Sequence, residues 1–73
     1  MTRRRPTRWR RILARLDELG ATYAALAGRP GWFVVEWLQD GEPWQQVYHP
    51  GMPRRKQMMR AIARRSAGRE IRL

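Results

Sequence analysis

The side chains of this sequence best placed to do chemistry are cations. In the stretch PRRKQMMRAIARRSAG, residues 53–68, Lys56, Arg60 and Arg64 recur at i, i+4 and i+8, which is one row on a helix, and Arg54 and Arg55 lead into it. A solvated helix face ordinarily alternates signs and gains i,i+4 pairs. Here like charges repel at every step, which points to a negatively charged partner. The other end of the chain repeats the theme, with Arg3, Arg4, Arg5, Arg8 and Arg11 inside the first eleven residues. Arginine and lysine on phosphates release condensed counterions, so the chemistry these residues offer is binding to a polyanion.

Other chemistries find little material. There is no cysteine, hence no disulfide and no thiolate ligand, and a single histidine cannot supply a two-imidazole metal site. That histidine, His49, follows Tyr48 and precedes Pro50, with no evident carboxylate or nucleophile beside it and no glycine-rich phosphate loop anywhere. The expectation is a protein that is not an enzyme, with no catalytic residue, metal or cofactor. The longest apolar run, WFVV, is far too short to span a bilayer, and no apolar segment of signal-peptide type follows the basic start. A soluble cytoplasmic protein is expected, with no membrane partner.

The formal charge of +10 on 73 residues exceeds what solubility needs, about 2 to 8 for a small domain. Its placement says more. Residues 1–15 carry seven arginines and no acid, and residues 54–73 carry eight bases against Glu70. Between them, Arg29 faces Asp17, Glu18, Glu36, Asp40 and Glu42. A polyanion-binding surface assembled from two terminal segments would look like this. The preference for arginine over lysine, fifteen to one, fits a GC-rich genome as well and does not by itself signal binding.

These cations must be held by few elements, because 73 residues bury one modest core. Residues 1–7, with Pro6 and no apolar periodicity, read as a flexible basic arm ahead of one small α+β domain over residues 8–73. From Thr7, a candidate N-cap, Trp9, Ile12, Leu13, Leu16 and Leu19 recur at helical spacing up to Gly20, with Arg8, Arg11, Arg15 and Glu18 on the other side. ATYAALA fits either a continuation of that helix or a strand. The strand is preferred, because Gly20 interrupts and GRPG at 28–31 makes a turn. WFVVEWLQ at 32–39 and WQQVYH at 44–49 read as a hairpin about Asp40 and Gly41. A two-residue turn groups Phe33, Val35 and Trp37 with Trp44, Gln46 and Tyr48; a three-residue loop would shift the pairing by one.

Pro53 then starts a second helix and Gly68 ends it, with Met58, Met59, Ile62, Ala63 and Ser66 on its core arc and REIRL open to a short edge strand or a frayed end. The fold expected is α-β-β-β-α: N-terminal helix, antiparallel sheet of two or three strands, C-terminal helix. Leu13, Leu16, Phe33, Val35 and Ile62 are the expected core.

That order of elements, over residues 8–68, resembles the double-stranded-RNA-binding domain and the small HicA toxins that share its fold. The resemblance implies that GRPG is the groove-contacting loop and that RRK opens the phosphate-gripping helix, which brings Arg29, Arg54, Arg55 and Lys56 forward. The loop histidine of the RNA-binding family and the catalytic histidine of the toxins have no counterpart in GRPGWF. The segment GWFVVEWLQDGEPW, followed by one helix, also resembles integrase-arm DNA-binding modules, which would make Trp37, Trp44 and Gln46 a reading surface on the sheet.

The leading expectation is a nucleic-acid-binding protein with little sequence specificity, for DNA or RNA. It would use the arm (Arg3, Arg4, Arg5), Arg8, Arg11, Arg29 and the second helix (Arg54, Arg55, Lys56, Arg60, Arg64). The alternative is a phage- or plasmid-encoded inhibitor or regulator that binds a host protein through Trp37, Trp44 and Tyr48, since tryptophan and arginine are enriched at interface hot spots. Apolar side chains on both faces of the hairpin also call for a cover on the second face, most simply a second copy of the chain.

Overall fold

A computed structural model describes residues 8–51 and 56–73. The arm with Arg3, Arg4 and Arg5, the cap residue Thr7, and Pro53, Arg54 and Arg55 lie outside these described residues. The first helix, α1 (Arg8–Glu18), stops where the sequence placed its stop. Gly20, at φ 74°, donates to the Asp17 carbonyl and Ala21 donates to the Leu16 carbonyl, both at 3.0 Å. This pair of bonds closes the helix and turns the chain back. ATYAALA is therefore strand, β1 (Thr22–Leu26), followed by β2 (Phe33–Gln39), β3 (Glu42–Tyr48), α2 (Lys56–Ser66) and β4 (Glu70–Ile71).

The β2–β3 register is the one expected of a two-residue turn. Asp40 (φ 54°) and Gly41 (φ 79°) both sit in the left-handed region, as a turn matching the strand twist requires, and Gln39 faces Glu42. Trp37 consequently faces Trp44, Val35 faces Gln46 and Phe33 faces Tyr48. Strand β3 begins two residues before Trp44 and takes in Pro43, which its place at the sheet edge permits. The sheet has four strands in the order β3-β2-β1-β4, and β4 runs parallel to β1, with Ala25 beside Glu70 and Leu26 beside Ile71.

Both helices pack on one face. Leu13 and Leu16 of α1 and Met58, Ala61 and Ile62 of α2 close over Tyr23, Val35 and Tyr48, all buried. Phe33, expected in the core, is half-buried at its margin. Ala63 is exposed and Ala61 takes its place, because the α2 arc facing the sheet is centred on Met58 and Ile62. Tyr48, expected as a surface contact, is 5% exposed: the register turns its ring toward the helices. Trp37, Trp44 and Gln46 share this helix-side face. A sheet-reading mode of the integrase-arm type would instead meet Glu36, Leu38 and Gln45 on the far side.

That far face is partly closed from within the chain. Ala24, Leu26 and Val34 are buried there, Trp32 and Val47 are half-buried beside them, and Leu38 remains 62% exposed.

Candidate nucleic-acid interface

Chain direction decides where the cations gather. A short turn returns α1 into β1, another returns α2 into the parallel strand β4, and Asp17 in the last turn of α1 meets Arg65 in the last turn of α2. Both helices therefore begin at the same end of the sheet, where the β1–β2 loop lies and β3 finishes. That end carries Arg8, Arg10 and Arg11 on α1, Arg29 in the loop, Lys56 at the start of α2 and Arg72 after β4. The opposite end holds the hairpin tip with Asp40 and Glu42, and Asp17 and Glu18 at the end of α1. The molecule has a basic pole, and at the other end these acids stand among Arg15, Arg64, Arg65 and Arg69.

The basic pole is electrostatically unrelieved. Neither helix has an acid in its first turn, and Arg8, Arg10 and Arg11 sit against the positive end of the α1 dipole, each at a cost of about 0.3–1 kcal/mol when no anion is near. Among the described residues the ion pairs are Arg15–Glu18 at 3.3 Å, exposed, and Arg65–Asp17 at 2.8 Å. Arg8, Arg10, Arg11, Arg29, Lys56, Arg60, Arg64 and Arg72 thus have no carboxylate at ion-pair distance. Two of these arginines lie over indoles, Arg29 at 5.0 Å from the Trp32 ring and Arg10 at 5.3 Å from Trp9. Stacking of this kind steadies a guanidinium while leaving its N–H edge open to an oxygen ligand.

The expected row Lys56, Arg60 and Arg64 is exposed along α2. Arg64 stands near Arg10 in the cleft between the helices. Arg65 has a different role. Its Nε donates to both Asp17 oxygens at 3.2 Å and its Nη2 donates to Oδ2 at 2.8 Å, while the Tyr23 hydroxyl donates to Asp17 Oδ1 at 2.8 Å. This clasp ties α1, β1 and α2 together. The Arg65 hydrogen bonds hold the Asp17 carboxyl below its ordinary range, and burial together with the Asp17 bond pushes the Tyr23 hydroxyl well above its own.

Sequence reasoning set Arg15 on the polar side of α1 without counting it among the binding residues, and passed over Arg10 and Arg72. A helical wheel signals Arg15, since positions 8, 11 and 15 follow i, i+3, i+7; Arg72 joins the pole only through the parallel pairing of β4, which nothing local announces. Arg8, Arg11 and Arg15 line a groove of about 610 Å³ between α1 and β3, with Trp37, Gln39 and Gln46 across from them. Trp44 stands beyond Trp37 on the same face, 53% exposed.

His49 stacks on Trp32 at 5.1 Å between ring centroids, on the side of the sheet away from Tyr48. Strand alternation separates those two side chains. Among the described residues no three His, Asp or Glu side chains gather where they could hold a metal ion, and no helix is long and apolar enough to cross a membrane. Comparison with protein-family models, with curated proteins and with solved structures finds no match for this chain.

Proposed function

We propose that this protein binds nucleic acid through its basic pole, gripping phosphates with little regard to sequence. The observation that carries the reading is the convergence of Arg8, Arg10, Arg11, Arg29 and Lys56 on one end of the sheet, none of them paired with a carboxylate. A surface evolved for solubility alone gains from interspersed signs, whereas this pole concentrates cations beside two helix N-termini, where each destabilises the free protein and is relieved by an anion. The likeness to double-stranded-RNA-binding domains would give Arg29 a groove contact and Lys56 a phosphate contact. In sequence, Arg3, Arg4 and Arg5 precede Arg8, and Arg54 and Arg55 precede Lys56.

The test is a binding titration of duplex DNA and duplex RNA with the parent and with Arg29→Gln/Lys56→Gln. Both residues are exposed and neither packs in the core, so the variant stays folded with a cooperative melt. Affinity should fall for every sequence tried, and the slope of log K against log salt should flatten by about 2. Unchanged affinity in the double variant would overturn the reading.

A second reading rests on a different end of the molecule. Leu38 (62% exposed) and Trp44 (53% exposed) flank the acidic hairpin tip, and exposed aromatic and aliphatic side chains of this kind suit a protein partner such as a host factor or a second copy of the chain. A pull-down that loses its partner on Leu38→Ser and keeps it on Arg29→Gln would favour that reading.

A further inference from the structure

The groove between α1 and β3 combines two features that the basic pole lacks. One wall is cationic, with Arg8, Arg11 and Arg15 in a single helical row, and the facing side is aromatic and amide, with Trp37 and Gln46. No carboxylate lines this groove. The half-exposed Trp44 pairs with Trp37 on the same sheet face and lines the adjoining cavity, which Glu36 and Leu38 also border. The cationic row runs about 10 Å along the helix at about 1.5 Å per residue. Arg15 is available although it pairs with Glu18, because both side chains of that pair are about two-thirds exposed and the bond is long at 3.3 Å.

A duplex has no use for the aromatic side of this groove, since its base faces are stacked inside the helix. A single strand presents both the base faces and the Watson–Crick edges. From this match, and resting on the proposed nucleic-acid binding, we infer that the α1–β3 groove is a short single-strand site. Phosphates run along Arg8, Arg11 and Arg15, one base stacks on Trp44, and the Gln46 amide meets a base edge. Trp37, half-buried and holding Gln39 through its indole N–H at 3.3 Å, forms the fixed part of the floor. Trp44 faces Trp37 across the strands and leaves about half of its surface in solvent, where a base can stack on it. Single-stranded DNA and RNA share this chemistry.

The experiment measures fluorescence anisotropy of labelled dT12, rU12 and a twelve-base-pair duplex with the parent, Trp44→Ala, Trp44→Phe and Arg29→Gln/Lys56→Gln. Trp44→Ala should weaken dT12 and rU12 by about 5- to 150-fold, the range for loss of one base–aromatic stack, while duplex affinity stays within about twofold. Trp44→Phe should restore most of the loss, which a merely structural role for the indole would not produce. The pole variant should weaken all three probes. Weakening of both dT12 and rU12 assigns single-stranded DNA and RNA alike to the groove; weakening of one alone assigns the groove to that kind of strand. Equal loss of single strand and duplex on Trp44→Ala, no loss at all, or duplex binding with no single-strand binding would overturn this site while leaving the basic pole standing. Failure of every probe to bind would overturn both.

Discussion

Replacing Asp17 should loosen the whole domain more than its surface position suggests. Its carboxylate, on a side chain 44% exposed, joins the Arg65 guanidinium in a two-pronged pair and accepts the hydroxyl of Tyr23, itself 5% exposed. An exposed pair contributes about 0.2–1 kcal/mol, with the forked geometry favouring the upper end, and the hydrogen bond from a buried hydroxyl adds about 1 kcal/mol. Asp17→Ala loses both, about 2 kcal/mol, which lowers the melting midpoint of a domain this size by roughly 8–16 °C. Asp17→Asn keeps an acceptor for Tyr23 and loses the charge, so its drop should be about half as large. The sign of the pH dependence follows from the depressed carboxyl. Stability from the clasp is fully present above the unfolded-state pKa of about 4 and is lost as pH falls through the lower folded value. Thermal melts of the parent and both variants from pH 7 down to pH 2 check this. The parent and Asp17→Asn should converge in acid. A parent–Asn gap that is absent at pH 7, or that persists undiminished at pH 2, would refute the reasoning.

Ile62→Ala, at a fully buried site, should cost about 2–5 kcal/mol and abolish or strongly lower the cooperative melt, whereas Trp44→Ala should change stability by under about 1 kcal/mol because half of the indole is already in water; paired thermal melts compare them. Gly41→Val should destabilise by about 1–2 kcal/mol, since a β-branched residue strains at φ 79° although the space around Gly41 is open, and denaturant titration reads that loss.

Local signals carried the reading of the chain far. Gly20 marked the end of α1, the Asp40–Gly41 pair set the hairpin register, and Met58 and Ile62 marked the buried arc of α2, because each depends on turn chemistry or periodicity confined to a few neighbours. What escaped depends on contacts between distant segments. The parallel pairing of β4 with β1 brings Arg72 to the basic pole from the far end of the sequence. The clasp joins Asp17 to Arg65, forty-eight positions apart, so that an arginine from the basic second helix is spent on structure and an apparently solvated acid is not free. Tyr48, grouped correctly with Phe33 and Val35 but expected as an interface contact, is buried by the two helices that close over that face.

Whether the basic pole meets phosphates can be decided by following duplex affinity of the unaltered protein from about 50 to 200 mM salt. With five cations of the pole engaged, log K should fall linearly with log salt at a slope of about −4.5 on DNA, irrespective of sequence. A slope near zero, or no binding at 50 mM, would contradict the proposed function.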